Sequence, residues 1–213
     1  WDFRRKGWTF RSGGDGPTAP SGSGLYRSVN GGRSWVQQTP AANRGLPPGP
    51  WGRPEVVYAP SDPKIVYLAV ESRASGLFRS SDGGQTWEAR DRSQMMVWRP
   101  FYFALLVVDP TNPNRLFKMN LNLVVSEDGG RSWRKADSGT ERLLYDVSMA
   151  NDKSGWAVGQ LGLILRTEDG GRTWAEQPNP KKAEGKNLLS VVALDDDRFF
   201  FNDTATTEIY TKD

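Results

Sequence analysis

The 213-residue chain is 37% hydrophobic and 25% charged with a net charge of +3, and it carries no basic run, so it reads as a folded domain and not as a nucleic-acid binder. It has neither cysteine nor histidine, which excludes disulfide frameworks, thiol nucleophiles, a Ser-His-Asp triad and His- or Cys-held metals within these residues. The longest apolar stretch, around Phe101 to Val108, is too short for a membrane-spanning helix, and no metal or cofactor is expected.

The first 24 residues hold little patterned strand, and Gly13 to Gly24 is a Gly/Pro/Ser-rich loop. The chain begins with Trp1 and not Met, so a missing signal peptide carries no weight. Leu25-Tyr26-Arg27 is a short strand that runs into the first of four related octapeptides, Ser28-Val-Asn-Gly-Gly-Arg-Ser-Trp35. Val56-Val57-Tyr58 and Ile65 to Val70 follow as strands around a Pro60-Ser-Asp-Pro63 turn. Next come Leu77-Phe78-Arg79 and the second octapeptide, Ser80-Ser-Asp-Gly-Gly-Gln-Thr-Trp87. The order returns with Ala104 to Val108, Arg115 to Lys118, Leu123-Val-Val125 and Ser126-Glu-Asp-Gly-Gly-Arg-Ser-Trp133. It returns again with Leu144 to Ser148, Gly155 to Val158, Leu163 to Arg166 and Thr167-Glu-Asp-Gly-Gly-Arg-Thr-Trp174.

The tryptophans closing the octapeptides are spaced by 87−35=52, 133−87=46 and 174−133=41 residues, the length of one four-stranded propeller blade. The residue types suit a hairpin turn. Paired glycines reach φ > 0, the Asp accepts hydrogen bonds from turn amides, and Ser or Thr at the first position does so more weakly. The Trp is large enough to seal one blade against the next. The fold class is thus all-β, a fragment of a propeller with about three full blades and partial blades at both ends. The first hairpin ends an earlier blade. Leu188 to Leu194, the turn Asp195-Asp-Asp197 and Arg198-Phe199 begin a new one. Three regions are expected: 1–24 as partial blade and loop, 25–199 as blades, and 200–213 as a non-native tail. Asn202 to Thr211 fits no blade strand and resembles the translation of a sequencing adapter, as at the end of a metagenomic fragment.

The Ser-x-Asp-x-Gly-x-Thr-Trp pattern resembles the Asp-box, or bacterial neuraminidase repeat, of sialidases, xyloglucan-degrading hydrolases, sortilin-type receptors and photosystem II assembly factors. Arg53-Pro-Glu-Val-Val-Tyr-Ala-Pro and Gly76-Leu-Phe-Arg resemble most the bacterial sortilin-type propellers labelled as glycosyl hydrolases. Gly155-Trp-Ala-Val-Gly159 and Leu163 to Gly171 are similar to the photosystem assembly factor pattern. The first copy departs from the motif with Asn30 in the Asp position, and Asn still serves the turn. The resemblance implies that the boxes lie on outer hairpins away from the ligand face, that Ser28, Asn30, Trp35, Ser80, Asp82, Trp87, Ser126, Asp128, Trp133, Thr167, Asp169 and Trp174 are structural, and that the compartment is extracytoplasmic. It also implies a scaffold that binds peptide, protein or carbohydrate, with a glycoside hydrolase or an assembly factor as alternatives.

Hydrolysis of a glycoside needs two facing carboxylates, for which Glu55, Glu71, Asp91, Asp109, Glu141 and Asp146 are available near strand ends or loops. No pair among them is specified, so the catalytic residues are unknown. The sialidase Phe-Arg-Ile-Pro segment is absent. Trp98-Arg-Pro-Phe-Tyr-Phe103 lies just before a first strand, where exposed aromatics stack on sugars or clamp a peptide and Arg99 supplies directional hydrogen bonds. Trp51-Gly-Arg53-Pro54 takes the corresponding place one blade earlier. The expected ligand-binding set is Arg53, Glu71, Trp98, Arg99 and Tyr102.

Overall fold

A computed structural model describes residues 24–49, 51–52, 54–72, 74–97, 105–119 and 122–203, and the backbone of 207–211. The chain divides into two compact units, one of residues 1–58 and 62–104, the other of 59–61 and 105–213. Strands β1 to β17 run in chain order, and the described residues contain no α-helix.

In the first unit, β1 (Leu25–Arg27) and β2 (Val36–Gln38) form an antiparallel hairpin, Leu25 opposite Gln38. Then β3 (Pro54–Ala59), β4 (Asp62–Val70), β5 (Gly76–Ser80) and β6 (Glu88–Asp91) form a four-stranded meander. One face of this blade is sealed by a cluster of Leu46, Trp51, Leu68, Val70, Phe78 and Trp87, with Leu25 packed against it. Gly45 is required here. Its φ is +92°, and a Cβ would lie 1.7 Å from the Trp87 carbonyl oxygen.

In the second unit, β7 (Leu106–Val108), β8 (Leu116–Met119), β9 (Leu123–Ser126) and β10 (Arg134–Lys135) make one blade. β11 (Leu144–Met149), β12 (Gly155–Gly159), β13 (Ile164–Thr167) and β14 (Ala175–Glu176) make the next. Both faces of the β11–β14 blade are buried, and the period of two explains its near-continuous apolar runs. Ala157 and Leu165 face Phe117, Val125 and Ala136 of the preceding blade. Trp156, Val158 and Ile164 face Leu188, Val191 and Phe199 of the following one.

The turns between first and second strands are pinned by a short acceptor side chain in each case. Asp62 Oδ1 accepts from Lys64 N, Asp109 Oδ1 from Thr111 N and Asn112 N, Asn151 Oδ1 from Lys153 N and Ser154 N, and Asp195 Oδ1 from Asp197 N and Arg198 N.

β15 (Leu188–Ala193) and β16 (Arg198–Asp203) start the further blade as the sequence leads one to expect. The expectation that Asn202 to Thr211 fits no blade strand is corrected. Asn202 and Asp203 continue β16, and β17 (Thr207–Thr211) pairs with it in register, Arg198 opposite Thr211. Thr207-Glu-Ile-Tyr-Thr is rich in β-branched and aromatic residues, which suits a third strand although it lacks a box.

Candidate functional site

The first octapeptide joins β1 to β2, the other three each join the third strand of a blade to the outermost one, and the side chains of these three make one repeated network. In the second copy the Ser80 hydroxyl donates to Asp82 Oδ1 at 2.7 Å and accepts from Gly84 N at 2.8 Å. Asp82 Oδ1 also accepts from Gln85 N and Thr86 N at 2.9 Å each, while Oδ2 accepts from Thr86 Oγ1 at 2.6 Å. The third copy repeats this with Ser126, Asp128, Arg131 and Ser132, and the fourth with Thr167, Asp169, Arg172 and Thr173.

Burial alone would raise these three carboxyls. The hydroxyl and amide donors outweigh it and hold each at about 2, against an ordinary 3.8. A carboxyl held low in the folded chain contributes stability above its unfolded value, and that stability is lost as pH falls from about 4 to about 2. The unscreened linkage is about 2 kcal/mol per group, reduced by solvent at these partly exposed turns to roughly 0.5–1 kcal/mol.

In the first copy Asn30 Oδ1 accepts from Ser28 Oγ and Ser34 N at 3.0 Å each, and its Nδ2 donates to Ser34 Oγ at 2.8 Å. The hydroxyl that donates to a carboxylate in the other copies here accepts from an amide. The closing tryptophans also differ. Trp87 and Trp174 are buried and Trp133 is half-buried, but Trp35 is 61% exposed and seals nothing among the described residues.

In a meander every second turn lies at the same end of the sheet. The box turn and the first-to-second-strand turn therefore share one end, and backbone bonds tie them: Gly83 N to Lys64 O, Gly129 N to Asn114 O and Gly170 N to Lys153 O. At the other end of each blade lie the loop between second and third strands and the segments entering and leaving the blade.

Of the expected ligand residues, Arg53, Trp98, Arg99 and Tyr102 lie outside the described residues. Glu71 is described: it is buried and its carbonyl accepts from Gly52 N at 2.7 Å. Two candidate carboxylates prove to be structural anchors. Asp109 is fully buried in its turn, with Arg115 Nη1 3.2 Å from Oδ2. Asp146 joins two blades, because its Oδ2 accepts from Ser190 Oγ and Val191 N at 2.8 Å each and its Oδ1 accepts from Val147 N. Burial pushes its carboxyl up, against the pull of the Val191, Ser190 and Val147 donors. Asp91 accepts from Ser93 N at 2.7 Å. Glu141 borders an open groove of about 480 Å³ with Lys135, Asp137 and Ser138. No group of three or more acidic side chains able to hold a metal occurs among the described residues.

The site also contains a residue that sequence reasoning missed. Leu161, in the turn Gln160–Gly162 between β12 and β13, has φ +56° and ψ +38°, the left-handed region that a branched side chain avoids, and it is 55% exposed. The turn is over-determined by its neighbours. Gln160 N donates to Leu143 O at 2.9 Å, Gly162 N to Lys186 O at 2.5 Å, and Asn179 Nδ2 to Gly162 O at 3.1 Å. Flanking Gln160 and Gly162 are the only local signal, and they do not say which residue takes the strain.

A profile of the BNR/Asp-box repeat matches residues 78–89, and one described as photosynthesis system II assembly factor YCF48 matches residues 125–213. The second turn, Ser80 to Trp87, lies within the stretch that matches the BNR/Asp-box repeat. Among curated relatives, the photosystem II assembly protein Ycf48 of Synechococcus sp. (strain JA-3-3Ab) is 25% identical over 186 residues, 83% of this chain and 49% of that protein. The chloroplastic photosystem II stability/assembly factor HCF136 of Cyanidioschyzon merolae is 43% identical over 47 residues, 21% of this chain and 11% of that protein. The chain thus spans about half or less of the curated relatives it matches. Among solved structures, the GH74 enzyme of Niastella koreensis superposes with a TM-score of 0.56 at 19% identity, over 70% of this chain and 25% of that one. This likeness shows the fold, that of β-propeller blades, and no more.

Proposed function

We propose that the chain is a run of Asp-box blades from an exported bacterial scaffold that binds a peptide or protein segment at the blade end opposite the boxes. The observation that carries this reading is Leu161, an apolar side chain held toward solvent on strained backbone at that end. Such strain persists where the surroundings over-determine it and is characteristic of ligand-holding positions. An exposed apolar anchor suits a peptide side chain better than a sugar hydroxyl. The names of the curated relatives, photosystem II assembly and stability factors, support a scaffold that holds another protein. In sequence, Trp98, Arg99 and Tyr102 come between two blades and Arg53 lies one blade earlier, and these residues with Glu71 are further proposed ligand contacts, independent of Leu161.

A glycoside hydrolase shares the fold, but Asp109 and Asp146 are committed to the chain's own donors. A synthetic peptide array probed with the wild type and with Leu161→Gly tests the proposal. Glycine removes the left-handed strain, so the variant is as stable as wild type or more stable by about 1 kcal/mol. Peptides held by the wild type are expected to be lost by the variant. Release of reducing sugar from xyloglucan, abolished by a single carboxylate substitution, would overturn the scaffold reading.

A further inference from the structure

Asn30 is the only one of ten asparagines that precedes a glycine, and it stands where the other three boxes carry Asp. We infer that the first box is a self-modifying site, at which the Gly31 backbone nitrogen converts the Asn30 amide to a carboxylate.

Three features of the hairpin favour the reaction. Among the described residues the nucleophile has no acceptor. In the other boxes the first glycine's N–H donates to a turn carbonyl, at 2.8 Å for Gly83, 2.9 Å for Gly129 and 2.8 Å for Gly170. Gly31 N–H makes no such bond among the described residues. It is also uncrowded: Gly31 is exposed, and a Cβ there would meet nothing within 4 Å.

The electrophile is polarised. Asn30 Oδ1 accepts from Ser28 Oγ and from Ser34 N at 3.0 Å each, so two donors already sit on the oxygen that gains charge when the amide carbon is attacked. Finally, the leaving nitrogen is held. Asn30 Nδ2 lies 2.8 Å from Ser34 Oγ, whose hydroxyl can supply a proton as ammonia departs.

The chemistry balances with water alone. Gly31 N loses its proton to solvent base and bonds to Asn30 Cγ. The Cγ–Nδ2 bond then breaks, and the nitrogen leaves as ammonia. Water opens the resulting five-membered imide at one of its two carbonyls, giving aspartate or isoaspartate at position 30. Nothing is oxidised or reduced. The aspartate product gives Ser34 Oγ a carboxylate to donate to, as Thr86, Ser132 and Thr173 have in their boxes. Isoaspartate adds a carbon to the main chain and breaks the turn. The box therefore either completes itself or fails with age, and in both cases the chain gains one negative charge.

The test follows the tryptic peptide Ser28–Arg33 by mass spectrometry while the full chain is incubated at mildly alkaline pH. The same chain in urea, a synthetic peptide of residues 25–36 and the variant Ser28→Ala serve as comparisons. Conversion of amide to acid is expected at Asn30 about tenfold faster in the folded chain than in urea or in the peptide, less than the ~100-fold of an enclosed oxyanion donor. The other nine asparagines are expected to stay unchanged over that time, and Ser28→Ala is expected to fall to the peptide's rate. Asn30→Asp, which has no amide nitrogen to lose and so shows no mass gain, checks that the mass change arises at this residue. Conversion slower in the folded chain than in urea overturns the inference without reference to any variant. So does a Ser28→Ala rate equal to or above that of wild type.

Discussion

Replacing Trp174 by Ala is expected to lower the unfolding free energy by about 3–5 kcal/mol, whereas Trp35→Ala is expected to change it by less than about 1 kcal/mol. The two residues hold the same place in the repeat and differ in what covers them. Trp174 is 6% exposed and belongs to the cluster that joins two blades, with Phe117 and Ala136 on the preceding blade. Its indole donates to Gly171 O at 3.3 Å and its backbone N to Asp137 O at 2.9 Å, so the ring is fixed in its seat. Truncation leaves a cavity between two sheets that cannot close without moving one of them. Trp35 has no such seat among the described residues. Urea unfolding of both variants measures the difference, and equal losses would mean that the boxes do not close the blades through their tryptophans.

The second large effect is Gly171→Ala, expected to cost about 2–5 kcal/mol from backbone strain and overpacking together. Gly171 has φ +82°, and a Cβ there would stand 2.4 Å from Phe117 Cε1 and 3.1 Å from Cζ. The Phe117 ring is fully buried, so it cannot swing aside. Gly31→Ala isolates the backbone contribution. Its φ is +70° with open space around it, and only about 1–2 kcal/mol is expected. Thermal melts of the two variants should separate them clearly. Equal shifts in Tm would show that the glycine pair serves the turn alone and not the approach of one blade to the next.

These contrasts mark how much of the molecule was legible in its sequence. A box is a local object: Ser80, Asp82 and Thr86 meet within one turn, so spacing and residue type were enough to place it. The meander was equally legible, because Gly155 to Val158 and Leu163 to Arg166 pair across a short loop. What lies across the seam between blades was not. Asp146 reads as a spare carboxylate until Ser190 and Val191, more than forty residues on, are found donating to it. Trp35 and Trp174 are indistinguishable by motif, since burial depends on the neighbouring blade. Leu161 takes its left-handed backbone from bonds to Leu143 and Lys186 on the segments to either side. The strand Thr207–Thr211 went unrecognised because it pairs without a box to announce it.

The central claim is that the box carboxylates are structural pins and the chemistry of binding lies elsewhere. It is tested most directly by carbon-detected NMR titration of Asp82, Asp128 and Asp169 in the folded chain. All three are expected to titrate together near 2, with stability falling as pH drops from about 4 toward that value. A carboxyl among them that titrates at its ordinary 3.8 or above, while the chain stays folded, would contradict the account.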